Sequence, residues 1–161
     1  MAAALLVSFA MPAGAADLDA ARAAMNGPAS GWAPALADLA AGARAGDARA
    51  AWLAGLMVRN GKGTAADSAA AAIWLEQAAR GGVPEAMFVL GNMRIEGEGG
   101  SIDRAAGRAW LERAAALGHP AALQQLAQMA YEAGAGDRAN ALLKESAHAL
   151  KHLPGAPVAS D

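Results

Sequence analysis

Cysteine is absent from this chain of 161 residues, which excludes a disulfide framework, thiolate metal sites and a cysteine nucleophile. Aromatic residues make up only 4% of it, and no run of alternating Val, Ile, Thr and aromatics marks a strand. Neither sign of charge dominates: 13 Lys and Arg stand against 15 Asp and Glu, a formal charge of −2. That balance lacks the electrostatic footprint of a nucleic-acid binder, and no basic run is present to hold a membrane surface. No segment approaches the length of a transmembrane helix. The 19 Gly and seven Pro follow no three-residue period, so collagen is excluded. What fills the chain is alanine, at about three residues in ten, the residue with the best intrinsic helix propensity. The length allows one domain or one short array of repeats. The expectation is an all-α protein without a bound cofactor.

The first fifteen residues, MAAALLVSFAMPAGA, carry no charged side chain, and Asp17, Asp19 and Arg22 follow at once. Ala2 to Met11 is too short to span a bilayer. Small residues at Ala13 and Ala15 suit the pockets of a signal peptidase cutting after Ala15. Residues 1–15 therefore read as a signal peptide, although the Lys or Arg that ordinarily precedes the apolar stretch is lacking. The alternative is an Ala-rich helix packed on the domain. On the signal reading the mature protein is periplasmic or secreted.

Internal similarity decides the fold. WLEQAARGGVPEAMFVLGNM, from Trp74, aligns with WLERAAALGHPAALQQLAQM, from Trp110, thirty-six residues later. The register extends backwards, with Ala50, Gly55, Met57, Gly61, Gly63 and Asp67 matching Ala86, Gly91, Met93, Gly97, Gly99 and Asp103. Recurrence of Trp, Asp and paired Gly cannot come from an alanine bias alone.

Each period reads as two antiparallel helices. In the middle unit, Pro84 suits a first helical position, and Ala86, Leu90 and Met93 form one buried stripe at i, i+4 and i+7. Gly97-Glu98-Gly99-Gly100 breaks that helix. Asp103 can accept a bond from the free N–H groups of the next first turn, and the second helix passes through Trp110 to Gly118. Asp47, Asp67 and His119-Pro120 open the corresponding helices of the flanking units. A last helix is expected from Asp137 to about His152, with four residues lost from its connecting loop. Pro34 to Arg44 matches a second helix without its Trp. The predicted division is a cap over residues 16–33, repeats over 34–152 and a disordered tail over 153–161. Gly55, Gly91 and Ala127 share a column where a small residue lets the neighbouring helix approach. Trp74 and Trp110 fill the volume between hairpins, which are stabilised by stacking on their neighbours.

The pattern of Ala86, Leu90-Gly91, Met93, Gly97, Gly99, Asp103, Ala106, Trp110 and Ala114-Ala115 resembles the Sel1-like repeat, a relative of the tetratricopeptide repeat. It departs from the family where Tyr is usual near the end of the first helix: this chain has Val58, Arg94 and Ala130. The resemblance implies a right-handed α-solenoid of antiparallel helix hairpins whose first helices line a concave surface. It also implies adaptor or scaffold work through protein contacts, often in bacterial envelopes.

Catalytic motifs were sought in turn. Gly55 to Thr64 has five residues between its first glycines and Gly63 after Lys62, unlike a phosphate loop, and reads as a turn. His148 and His152 have metal-ligand spacing but lack an obvious third ligand, so no metal site is expected. Glu96 and Glu98 lie at an exposed turn, without the burial gradient that separates two carboxylate pKa values. The serines lack nucleophile-elbow spacing.

The informative stripe is on the first helices. With the core at Ala86, Leu90 and Met93, the residues placed away from the second helix are Glu85, Phe88, Asn92, Ile95 and Glu96. The matching sets are Arg49, Trp52, Leu56, Arg59 and Asn60, and Ala121, Gln124, Gln128, Tyr131 and Glu132. Exposed aromatics beside Arg are usual anchors of recognition surfaces, and a polar groove suits an extended peptide. Packing between adjacent first helices is the alternative for Trp52 and Phe88. The expected function is non-enzymatic binding of a protein or peptide in the groove formed by Arg49, Trp52, Leu56, Arg59, Glu85, Phe88, Asn92, Ile95, Gln124, Gln128 and Tyr131. The alternative is an envelope hydrolase or small-ligand binder acting on cell-wall-related compounds.

Overall fold

The structure is a computed structural model and describes residues 18–151. The signal peptide and tail expected from the sequence, and His152, lie outside the described residues. Those described form eight α-helices and no strand: α1 (Leu18–Asn26), α2 (Trp32–Arg44), α3 (Ala48–Arg59), α4 (Ser68–Arg80), α5 (Pro84–Glu96), α6 (Arg104–Ala116), α7 (Pro120–Glu132) and α8 (Gly136–Lys151). They pair as four successive hairpins, and each hairpin packs on the next.

The helix starts follow from local chemistry. Asp47 accepts hydrogen bonds from the N–H groups of Arg49 and Ala50. Asp67 and Asp103 accept from Ala70 and Ala106, at 2.9 Å each. Each carboxylate satisfies an N–H that the first turn leaves without a helical partner. His119 performs the same service for Ala122 through Nδ1. α2 begins at Trp32, two residues before the expected Pro34, because a 3₁₀ turn at Ala29–Gly31 leads directly into it. Pro34 is then the third helical residue, where a missing N–H forfeits no helical bond.

The core is built from alanine, leucine and methionine. Leu39, Met57, Leu75, Leu90, Met93 and Leu111 are fully buried, with Ala50, Ala54, Ala78, Ala86 and Ala114 between them. Glycines set how closely the helices of a hairpin approach. A Cβ on Gly91 would press on the Gly107 carbonyl and on Leu111, and one on Gly55 would meet Leu75. Trp74 and Trp110 occupy matching places, each half-buried and packed against the core. The guanidinium of Arg113 covers the Trp110 ring at 4.9 Å.

The hairpin loops dock backwards. Gly63, in the α3–α4 loop, lies against the Trp32 carbonyl at the start of α2, and Gly99, in the α5–α6 loop, lies against the Ser68 carbonyl at the start of α4. Both have positive φ, 83° and 74°, which favours glycine. Lys62 reinforces the first docking by donating to the Met25 carbonyl at 2.7 Å and lying over the Trp32 ring. The Gly-Lys-Gly segment is thus a structural turn. The α7–α8 connection has lost four residues by comparison, and Ile102, before α6, is left 56% exposed.

Candidate binding surface

Helical geometry explains where the expected groove residues fall. At about 100° per residue, the column containing Phe88 and Asn92 stands beside the buried stripe, and it faces the next first helix. The Phe88 ring stacks on His119 at the start of α7, with centroids 5.0 Å apart. Asn92 accepts a hydrogen bond from the Gln125 side chain of α7 at 2.5 Å, and its own amide donates to the Phe88 carbonyl at 3.2 Å. The structure therefore brings Phe88 and Asn92 into the joint between α5 and α7. Trp52, one repeat earlier, is half-buried against the core, and Leu56 is half-buried too. For Phe88 and Trp52, packing between elements is what is seen.

Two residues expected to face away from the second helices do not. Ile95 lies directly over Gly107 of α6, because the absence of a side chain at Gly107 opens space that the isoleucine fills. Arg59 turns towards the following hairpin, where Nε and Nη2 meet the two carboxylate oxygens of Glu98 at 2.7 and 2.5 Å. Ser68 donates to the same carboxylate at 2.9 Å. Glu98 is accordingly held below the ordinary carboxylate range, first by the Arg59 hydrogen bond, against the opposing effect of burial and with help from Ser68.

The remaining members stay open to solvent. Arg49, Glu85, Gln124, Gln128 and Tyr131 are exposed. Gln124 and Gln128 stand thirty-six residues after Phe88 and Asn92, and no helix follows α8 among the described residues to cover them. Half-buried Gln125, which the sequence reading passed over, belongs to the surface through its bond to Asn92. A sequence signal for it did exist: a polar residue at the place that Leu53 and Val89 hold in the earlier repeats.

Chemically, this arrangement offers hydrogen bonding. Gln125 retains a carbonyl oxygen and an N–H, and Asn92 retains an N–H, beyond the bonds already made. His119 is held below its ordinary value by burial, with Glu85 acting the other way. Among the described residues no group of three or more His, Asp or Glu is placed to hold a metal ion, and no helix is long and apolar enough to cross a membrane.

A stack of like hairpins, each covered by the next, defines an α-solenoid of the helical-repeat class. Residues 48–83 and 84–119 each match the Sel1 repeat family, and the chain is a Sel1-repeat protein. A Sel1 repeat protein from Oxalobacter formigenes has a similar solved structure, with a TM-score of 0.73 at 23% identity, over 83% of this chain and 55% of that one. A protective antigen of uropathogenic Escherichia coli strains, displaying an SLR fold, gives 0.66 at 25% identity over 85% and 35%. This chain thus spans about half of the first relative and about a third of the second. No curated protein sequence matches it. Sel1 repeats typically serve as protein-interaction scaffolds and are generally non-catalytic.

Proposed function

We propose that this chain is a non-enzymatic interaction scaffold of the bacterial envelope that holds a protein segment or peptide along its first helices. The observation that supports the reading is the bonded amide pair of Asn92 and Gln125. Two amides fixed against each other present a donor and an acceptor at low entropic cost, which matches the repeating polarity of an extended main chain. Arg49, Glu85, Gln124 and Gln128 flank the pair and supply charge and further amides for side-chain selection. Leu56 offers half-buried apolar surface one repeat away. The signal peptide reading of residues 1–15 supports a periplasmic or secreted location.

Selection of a displayed library of random peptides against the purified chain tests the binding. Peptides recovered with the wild type are expected to lose at least tenfold in affinity when Asn92→Leu and Gln125→Leu are introduced together, while the helical circular dichroism persists. Binding that ignores the pair, or hydrolysis of cell-wall fragments that survives the change, overturns the reading. The location is tested by N-terminal sequencing of protein from a periplasmic fraction, where the chain is expected to begin at Ala16.

A further inference from the structure

The C-terminal end of the stack is built like an interior face. Leu75 of α4 and Leu111 of α6 hold matching places, and both are fully buried. Leu143 holds that place in α8 once the four-residue deletion is counted, yet it is 49% exposed, and Leu150, two turns further, is 44% exposed. Asn140, Leu143, Ala147 and Leu150 fall at spacings of three, four and three, one stripe of the helix. Beside it, Tyr131 is 72% exposed, whereas Ile95, at its place one repeat earlier, is packed over Gly107. In the interior, the face carrying Leu111 is covered by the next hairpin.

The opposite end carries a receptor of matching kind. The outer side of α1 and α2 encloses an apolar hollow of about 260 Å³, lined by Ala24, Gly31, Pro34 and Ala35, with Leu39 at its base. Asp38 lines its edge and makes no ion pair or hydrogen bond among the described residues. Asp38 stands where the interior hairpins have Trp74 and Trp110, the place on a second helix that faces the preceding hairpin.

Charges join successive hairpins inside the chain. Glu76 of α4 meets Arg94 of α5 at 3.3 Å, and Glu112 of α6 meets Arg138 of α8 at 3.7 Å. Lys144 holds in α8 the place of Glu112 and Glu76, next to Leu143, and has no printed counterpart of its own among the described residues. A basic residue beside a protruding leucine at one end thus complements an acidic residue beside an apolar hollow at the other.

We infer that this protein associates head to tail with a second copy of itself, Leu143 of α8 entering the hollow between α1 and α2 and Lys144 pairing with Asp38. The occupant is this chain's own first hairpin because the face around Leu143 repeats one that a hairpin of the same pattern covers in the interior, and because the charges agree. Such a contact joins two different surfaces, so it leaves a free end on each copy and can propagate.

Sedimentation velocity of the full chain across a concentration series tests the inference, with circular dichroism as the check on folding. The weight-average mass is expected to rise from the monomer value of 16.0 kDa to at least twice that. Leu143→Glu and Asp38→Lys, both at exposed positions, are each expected to hold the chain monomeric. Mixing the two variants leaves one sound tail and one sound head, so a heterodimer limited to two chains is expected. Combining Asp38→Lys with Lys144→Asp in one chain is expected to recover association. A mass that stays monomeric at every concentration overturns the inference. So does association of Asp38→Lys alone, which marks a symmetric pairing of α8 helices, and so does a mixture that fails to form the heterodimer.

Discussion

Arg59, the last residue of α3, meets Glu98 in the loop of the following hairpin with both oxygens of the carboxylate engaged, 39 residues along the chain. The pair bridges repeats at the side chains, while Gly99 brings the same loop onto the backbone at the start of α4. A two-point arginine–carboxylate contact is geometrically selective, although partial exposure limits its strength. A double-mutant cycle of Arg59→Ala and Glu98→Ala, read by urea melts, is expected to give a coupling of about 1 kcal/mol. The contact is also expected to fade in acid. Glu98 is held below its ordinary value near 4.5, so the folded chain takes up this proton less readily than the unfolded one. Its contribution is complete above that value and is lost as the pH falls through the lowered one. The gap in stability between wild type and Arg59→Ala is therefore expected to be widest near neutrality and to close in acid.

His119 gives a second pH dependence at a different range. Its Nδ1 accepts the Ala122 N–H at 3.2 Å, and a protonated ring would bring N–H against N–H at a helix start that already disfavours positive charge. Burial lowers its proton affinity from the ordinary 6.5, opposed by Glu85. The unfolded chain thus gains this proton first, and stability is expected to decline as the pH falls below about 6.5 until the lowered folded value is passed. His119→Asn keeps a capping side chain that does not titrate. Melting temperatures from about pH 7.5 to 5.5 are expected to show this component of the slope in the wild type and to lack it in the variant.

The hairpins were legible because their cues are local or periodic. Asp47, Asp67, Asp103 and His119 each announce a helix start within three residues, and Gly55 and Gly91 repeat at the interval of the fold. The surface was less legible because contacts between first helices do not run along one column. Asn92 meets Gln125, thirty-three residues on, and Phe88 meets His119, thirty-one residues on. A column aligned at thirty-six residues therefore mixes positions that a following helix covers, such as Phe88, with positions that no described helix covers, such as Gln124. Arg59 and Glu98 stand in different elements, and nothing near either residue in sequence announces their pairing. Ile95 was misplaced because its position depends on the missing side chain of Gly107, which lies in another helix.

Ser146 marks where the last hairpin differs in chemistry. It stands in α8 at the place of Ala78 and Ala114, is 1% exposed, and its hydroxyl donates to the Pro120 carbonyl at 3.1 Å. Pro120 lies in the first turn of α7, so its carbonyl keeps a helical N–H as partner when the hydroxyl is removed. Ser146→Ala is expected to cost no more than about 1 kcal/mol. Ser146→Val adds bulk where two helices meet and is expected to cost about 1–3 kcal/mol. Thermal melts of the two variants distinguish a hydrogen bond that holds the hairpin from a small residue that lets it close.

Two glycines seven residues apart are expected to respond in opposite ways. At Gly107 a Cβ would fall 2.6 Å from the Ile95 side chain and as close to the Gly91 carbonyl, and neither backbone can retreat without parting α5 from α6. Gly107→Ala is therefore expected to destabilise by about 1–3 kcal/mol despite alanine's higher helix propensity. At Gly100 a Cβ would meet nothing nearer than Arg94 at 3.9 Å, and φ lies outside the left-handed region. Gly100→Ala removes freedom from the unfolded chain without strain in the folded one, so a change between neutral and about 1 kcal/mol of added stability is expected. Urea unfolding of both variants decides the matter: loss at Gly107 with none at Gly100 assigns the close approach of α5 and α6 to the missing side chain, and equal losses would refute it.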